Sequence, residues 1–276
     1  MMTPVAQDNS GVYPPTMLRA LAVALTIGLT ACDTDPIVWN DPQAASSSDQ
    51  SASLRLKLDS SGAPRLVPDS TTLVAAPNLP GLCRASFRTA RGSTRLYGAW
   101  WGVRADSSAV LYAASSPDSG RTWGTPTAVD TLDVSSRGCD RPAPALATSG
   151  DDLHTAYSMI APEGTGVFFA HFMGSMLHSP VAVIYGERLV PTAIAAEGDR
   201  VAVAYEEPNG SRQQIDVSVS LTQGHIFEGH SVASRSIDAA SAPAIALAGH
   251  NIAVSWTTRR QMDSVGTRVV RTGRLQ

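Results

Sequence analysis

The chain has 276 residues, is 43% hydrophobic and 16% charged, and carries a formal net charge of -3. That length is enough for a sizeable core in one domain, or at most two. So weak a charge excludes the basic footprint of a nucleic-acid binder, and the basic residues are almost all arginine, Lys57 being the only lysine.

The first element is an export signal, not fold. Arg19 supplies a positive start and residues 20–31 form an uncharged apolar run. The run is too short to cross a bilayer, which takes about 20 residues, but it suits a signal peptide. Residues 1–31 are therefore read as a signal segment, with Met17 as an alternative start. The run ends in Leu29-Thr30-Ala31-Cys32, which resembles the bacterial lipobox, where a cysteine is lipidated before cleavage. The resemblance implies a lipoprotein exported to the bacterial cell envelope and held to its membrane through Cys32. Three cysteines are present. With Cys32 lipidated, Cys83 and Cys139 remain as a pair, and an oxidising compartment permits them to bridge.

Residues 32–79 are rich in Ser, Ala and Asp and read as a flexible tether. Within them, residues 53–59 alternate Leu54, Leu56 and Leu58 with Arg55 and Lys57, which predicts one strand with a single buried face.

From residue 80 onward no helix-period segment of useful length occurs, and a repeat emerges instead. "GSTRLYGAW" (92–100), "GDDLHTAYS" (150–158), "GDRVAVAYE" (198–206) and "GHNIAVSWT" (249–257) each open on Gly and run through alternating apolar residues to an aromatic. The aromatics are Trp100, Tyr157, Tyr205 and Trp256, at intervals of 57, 48 and 51 residues. Short apolar strands led by Pro144, Pro191 and Pro243 precede three of the glycines, and another strand follows each aromatic. A period near 50 with about four short strands per unit predicts a β-propeller of about four blades over residues 80–276. One blade cannot bury both its faces, so neighbours must stack. The last unit ends without a fourth strand, and the alternating segment 53–59 is the expected strand that completes it.

Between the third and fourth strands of the first unit lies "SSPDSGRTWG". Ser116, Asp118, Gly120, Thr122 and Trp123 match the S-x-D-x-G-x-T-W pattern, so the segment resembles the Asp-box (BNR) repeat of sialidase-like propellers. "SLTQGHIF" (220–227) is a degenerate copy with Thr222 at the Asp position and Ile226 at the Thr position. In that family the box is structural. Asp118 is expected to accept bonds from its own turn, and Gly120 to take a positive φ. The resemblance makes this a reduced, all-β, sialidase-like propeller and raises the question of a glycosidase.

Sialidases hold the substrate carboxylate with three arginines, attack with a Tyr activated by Glu, and use an Asp as acid/base. Arg84, Arg141 and Arg188 each stand near the start of an expected inner strand, so they are the candidates for binding an acidic ligand. The "CRAS" at Arg84 lacks the aromatic, Ile and Pro of the family's opening motif. No Tyr–Glu pair matches by motif: Tyr205 with Glu206, and Tyr185 with Glu187, are only adjacent. Asp106, Asp130, Asp133 and Asp140 offer no basis for choosing an acid/base. Among six histidines, His171 and His178 are seven apart and His225 and His230 five apart, neither a zinc spacing, so neither metal nor cofactor is expected. The sequence supports a membrane-anchored module binding a glycan or protein. The alternatives are an exo-glycosidase acting on sialic-acid-like sugars and a structural envelope scaffold.

Overall fold

The computed structural model describes residues 35–45, 54–68, 74–210, 213–234, 239–259 and 266–276. The signal segment, Cys32 and part of the tether lie outside them. Among the described residues no helix is long and apolar enough to cross a membrane.

The body is all-β. Two short strands, β1 (Ile37–Trp39) and β2 (Gln43–Ala44), come first, then a hairpin of β3 (Leu54–Leu58) and β4 (Pro64–Pro68). Four antiparallel sheets follow in chain order. Sheet one comprises β5 (Arg88–Arg91), β6 (Leu96–Val103), β7 (Ala109–Ser116) and β8 (Thr127–Asp130). Sheet two comprises β9 (Ala145–Ser149), β10 (Asp152–Ala161), β11 (Gly164–Met173), β12 (Met176–Leu177) and β13 (Val181–Gly186). Sheet three comprises β14 (Thr192–Glu197), β15 (Arg200–Glu206), β16 (Ile215–Ser220) and β17 (Gly229–Val232). Sheet four has β18 (Ala239–Ala248), β19 (Asn251–Arg259) and β20 (Thr267–Leu275), to which β1 and β2 are added.

The sheets stack as propeller blades because each has two apolar faces. Trp100, Tyr157, Tyr205 and Trp256 all sit on the second strand of their sheet, and none is more than 2% exposed. Three of them face the preceding sheet. Tyr157 shares a core with Trp101 and Leu111 of sheet one, Tyr205 with Val167 and Phe169 of sheet two, and Trp256 with Val217 and Val219 of sheet three. In sheet one, Trp100 packs on Phe87 and Tyr112 beside the segment holding Pro77 and Leu79. At the far end, Leu56, Leu58 and Leu66 of the β3–β4 hairpin cover Ala246, Ala253 and Val270 of sheet four.

The repeated glycines explain how the blades are fastened. Gly150, Gly198 and Gly249 turn from first to second strand at φ of 62°, 57° and 58°, a region open to glycine at little cost. The same turns bond to one another. Asp151 accepts from the Thr94 N–H at 2.9 Å, Ser149 Oγ accepts from the Gly198 N–H at 2.8 Å, and Glu197 Oε2 accepts from the Gly249 N–H.

The strand at 53–59 corrects the expected closure. Leu54–Leu58 pairs with β4 and not with sheet four. The outer strand of sheet four is β1, with Ile37 opposite Leu275 and Trp39 opposite Gly273. Ile37 is 2% exposed inside the core shared by sheets three and four. The alternation in 53–59 did predict a half-buried strand, but it could not select the partner.

The 115–124 segment forms a turn. Ser116 Oγ donates to Asp118 Oδ1 at 2.8 Å and accepts from the Gly120 N–H at 2.7 Å. Asp118 accepts the Thr122 N–H at 2.8 Å and the Thr122 hydroxyl at 2.7 Å. These bonds, from Thr122 first, hold the Asp118 carboxyl down to about 2. The 220–227 turn repeats half of the network: Gly224 N–H donates to Ser220 Oγ at 3.0 Å, and Ile226 N–H to Thr222 Oγ1 at 3.1 Å. Gly120 and Gly224 have φ of 92° and 90°. Ser116 is fully buried, so Ser116→Ala leaves the Gly120 N–H without its acceptor. A loss of about 1–3 kcal/mol in urea-unfolding stability is expected, and a loss below about 0.5 kcal/mol would contradict the turn's role.

Candidate functional site

The repeat brings one position from each blade to a central pocket of about 470 Å³. In each sheet the residue before the repeat aromatic has a partner on the innermost strand. These partners are Arg88 opposite Ala99, Ala145 opposite Ala156, Ala193 opposite Ala204, and Ala244 opposite Ser255. All four line the pocket, together with Pro144, Pro191 and Pro243. Three blades thus place alanine at the ring position and the first places arginine. The β3–β4 hairpin adds Arg55 to the same lining. Arg88 Nη1 donates to the carbonyl oxygens of Ala85 and Phe87 at 2.9 and 2.8 Å, which directs its side chain. Among the described residues, Arg55 and Arg88 are the charged members of the lining, and it contains no carboxylate, tyrosine or histidine.

The three arginines singled out in the sequence are not in this lining, and each has its own partners. Arg141 is enclosed with Asp133, their side chains 0% and 1% exposed and their charged atoms 2.8 Å apart. Arg141 Nε donates to the Gly138 carbonyl at 2.8 Å, and its guanidinium lies over the Trp101 ring. Asp133 also accepts from the Ala109 N–H and the Ser135 hydroxyl, each at 2.9 Å. A guanidinium so enclosed and paired is a structural cation and not a ligand hand. Arg188 Nη2 donates to the Glu207 carbonyl. Arg84 is exposed and donates to Asn78 Oδ1 at 3.3 Å. Among the described residues, no hydrogen bond or shared partner joins any two of them.

The cysteines do meet. Cys83 and Cys139 form a disulfide with Cα atoms 5.4 Å apart, tying the lead-in of sheet one to that of sheet two.

Most of the catalytic candidates are engaged in local contacts, while the Tyr185 side chain is half exposed. The Tyr205 hydroxyl is buried against Ser218 Oγ at 2.9 Å, and burial pushes its pKa up. Glu206 Oε1 accepts from the Ala242 N–H at 3.1 Å, and the Tyr185 carbonyl from Asn209 at 2.9 Å. Asp130 accepts the Tyr157 hydroxyl at 2.6 Å, and burial raises its pKa. Asp106 holds Ser108, and Asp140 pairs with Arg137 on the surface.

Two clusters escape motif reading altogether. In the first, Glu207, Asp216 and His230 converge. Burial raises the Glu207 pKa; it also works against the Asp216 charge, but hydrogen bonds from His230 and Glu207 outweigh it and hold Asp216 low. The two carboxyls thus shift in opposite directions, Glu207 up and the fully buried Asp216 down. His230, 3.2 Å from Asp216, is raised mainly by that contact. The second cluster joins His171, His178 and His225, where no histidine site was expected.

Fold and site together define a small β-propeller-class protein with a central pocket whose described lining carries Arg55 and Arg88. No protein-family model matches the sequence, and no curated protein is similar to it. Its structure is similar to that of a protein of unknown function from Dyadobacter fermentans DSM 18053, at 10% identity and a TM-score of 0.46, over 87% of this chain and 100% of that one. It is also similar to the N11 neuraminidase-like protein of A/flat-faced bat/Peru/033/2010 (H18N11), at 10% identity and a TM-score of 0.43, over 68% of this chain and 49% of that one. A third similar structure is the polysaccharide lyase Uly1, at 8% identity and a TM-score of 0.43, over 69% and 45%. The chain spans about half the length of these last two.

Proposed function

We propose that this chain is a binding module whose central pocket takes an anionic ligand, an acidic sugar of a glycan, and that a lipid on Cys32 holds it to the membrane of a bacterial cell envelope. The observation that carries the ligand reading is Arg88, the one charged residue at a ring position where the other three blades have alanine. Arg55 supplies a second guanidinium, and no acid/base or nucleophile stands beside them in the described lining. Guanidinium matches carboxylate geometry, whereas sugar hydrolysis needs a pair of carboxylic groups or an equivalent nucleophile. The anchor reading rests on Arg19, the apolar run and Cys32 in register.

The test is binding of the full chain to an array of acidic and neutral glycans, beside Arg88→Ala and Arg55→Ala. Acid-selective binding is expected, with each substitution weakening it about 10- to 100-fold, the loss of one charge-assisted contact. Hydrolysis of a fluorogenic sialoside would overturn this reading in favour of an exo-glycosidase. Silence toward every glycan would overturn it in favour of a scaffold.

A further inference from the structure

His171, His178 and His225 come from two different sheets and turn their imidazoles into one cluster. His171 lies on β11 and His178 just past β12; the His178 N–H donates to the His171 carbonyl at 2.9 Å, so the two face each other across a narrow hairpin. Their rings stack with centroids 4.4 Å apart. His225 arrives from sheet three, on the serine-led turn between β16 and β17, and meets both rings edge-on at 4.9 and 5.1 Å. One ring nitrogen of each histidine lies within 4.8 Å of one from each of the others.

Three details mark this as a ligand set and not a packed aromatic cluster. First, the Nδ1 of His225 is 2.6 Å from the Thr222 carbonyl. A carbonyl only accepts, so Nδ1 carries the proton and Nε2 presents a lone pair. A backbone carbonyl that fixes the tautomer in this way is the usual second support of a metal-bound histidine. Second, that Nε2 is 3.3 Å from Nδ1 of His178. Two nitrogens bound to one tetrahedral ion at 2.0–2.1 Å stand about 3.3 Å apart. Third, Nε2 of His171 is buried without a hydrogen-bond partner, in a protein interior where such groups are normally satisfied.

We infer that these three histidines form a site for a divalent transition-metal ion, zinc first, that joins the β11–β12 hairpin of sheet two to the β16–β17 turn of sheet three. Imidazole nitrogens suit Zn, Cu and Ni over Mg and Ca. The cluster opens outward, His171 buried, His178 half-buried and His225 exposed. A fourth position therefore faces solvent, as in three-ligand zinc sites that hold a water. The placement of His225 depends on Gly224, whose φ of 90° presses the turn onto Phe169, where an added Cβ would stand 2.1 Å from a ring carbon. The degenerate copy of the 115–124 turn thus serves to deliver a metal ligand.

The experiment is zinc titration of the full chain, produced without a histidine tag, by calorimetry and thermal melting, beside His225→Ala, His178→Ala and the control His250→Ala. His225 is exposed, so its replacement leaves the core intact. One zinc per chain is expected, with a melting-temperature rise of roughly 5–10 °C at a hundred-fold excess over Kd. His225→Ala and His178→Ala should each weaken binding by more than about 100-fold, while His250→Ala binds as the parent does. Cobalt substitution should give the visible bands of a tetrahedral site, lost in His225→Ala. The inference fails if zinc produces no rise, or if the rise and the cobalt spectrum survive in both histidine variants.

Discussion

Arg141→Ala is expected to lower stability by about 3–5 kcal/mol, measured by equilibrium unfolding in urea. Asp133 would keep its buried position while losing the guanidinium 2.8 Å away. Its remaining bonds, to Ala109 and Ser135, are neutral and do not compensate a carboxylate removed from water. The effect would spread, because Asp133 holds the first residue of β7 and Arg141 packs over Trp101 in the core of sheets one and two. Two companions sharpen the result. Arg84→Ala, on an exposed side chain with one long hydrogen bond, should change stability by no more than about 0.5 kcal/mol. Replacing the pair together, Arg141→Met with Asp133→Leu, should recover much of the loss, since an apolar pair of similar volume carries no desolvation cost. A single-variant loss under about 1 kcal/mol would mean that Arg141 is free for another task.

Removing the disulfide, by Cys83→Ser with Cys139→Ser or by reduction, should cost about 4 kcal/mol. The bridge closes a separation of 56 residues, long enough that the unfolded chain gains considerable freedom when it opens. It also joins the segments that lead into β5 and β9, the innermost strands of neighbouring blades. Cys83 is buried and its N–H donates to the Trp101 carbonyl at 2.9 Å, so the anchor reaches the middle of β6. Unfolding curves with and without dithiothreitol measure the difference. Coincident curves would show that the blades hold their spacing by apolar packing alone.

The sequence was most legible where local pattern and global repeat coincide. Alternation marked the strands, and the repeated Gly and aromatic marked the second strand of every blade, since a turn glycine and a buried ring are demanded by local backbone geometry and by inter-blade packing alike. The innermost strands were legible as well, through Pro144, Pro191 and Pro243. Arg88 was visible in principle: it holds the place of Ala145, Ala193 and Ala244. Finding it required the strand register, because a short 3₁₀ turn (Arg84–Ser86) precedes β5 and displaces the first blade from the proline-led pattern. The arginines nearer to the strand starts drew attention for their position. Their burial and partners, which decide whether a charge is available, depend on residues distant in sequence.

By itself, the sequence determined the all-β class, the number of blades, the aromatic at the heart of each and the self-satisfied turn at 115–124. All of these follow from contacts within a few residues or from repetition. Only the tertiary structure decided that Ile37–Trp39 completes the fourth sheet, that Asp133 neutralises Arg141, that Arg55 joins Arg88 at the pocket, and that His225 meets His171 and His178. Those pairings join segments that share no local pattern. They exist because stacked sheets must bury both faces, and that stacking brings distant edges and turns together wherever the blades happen to meet.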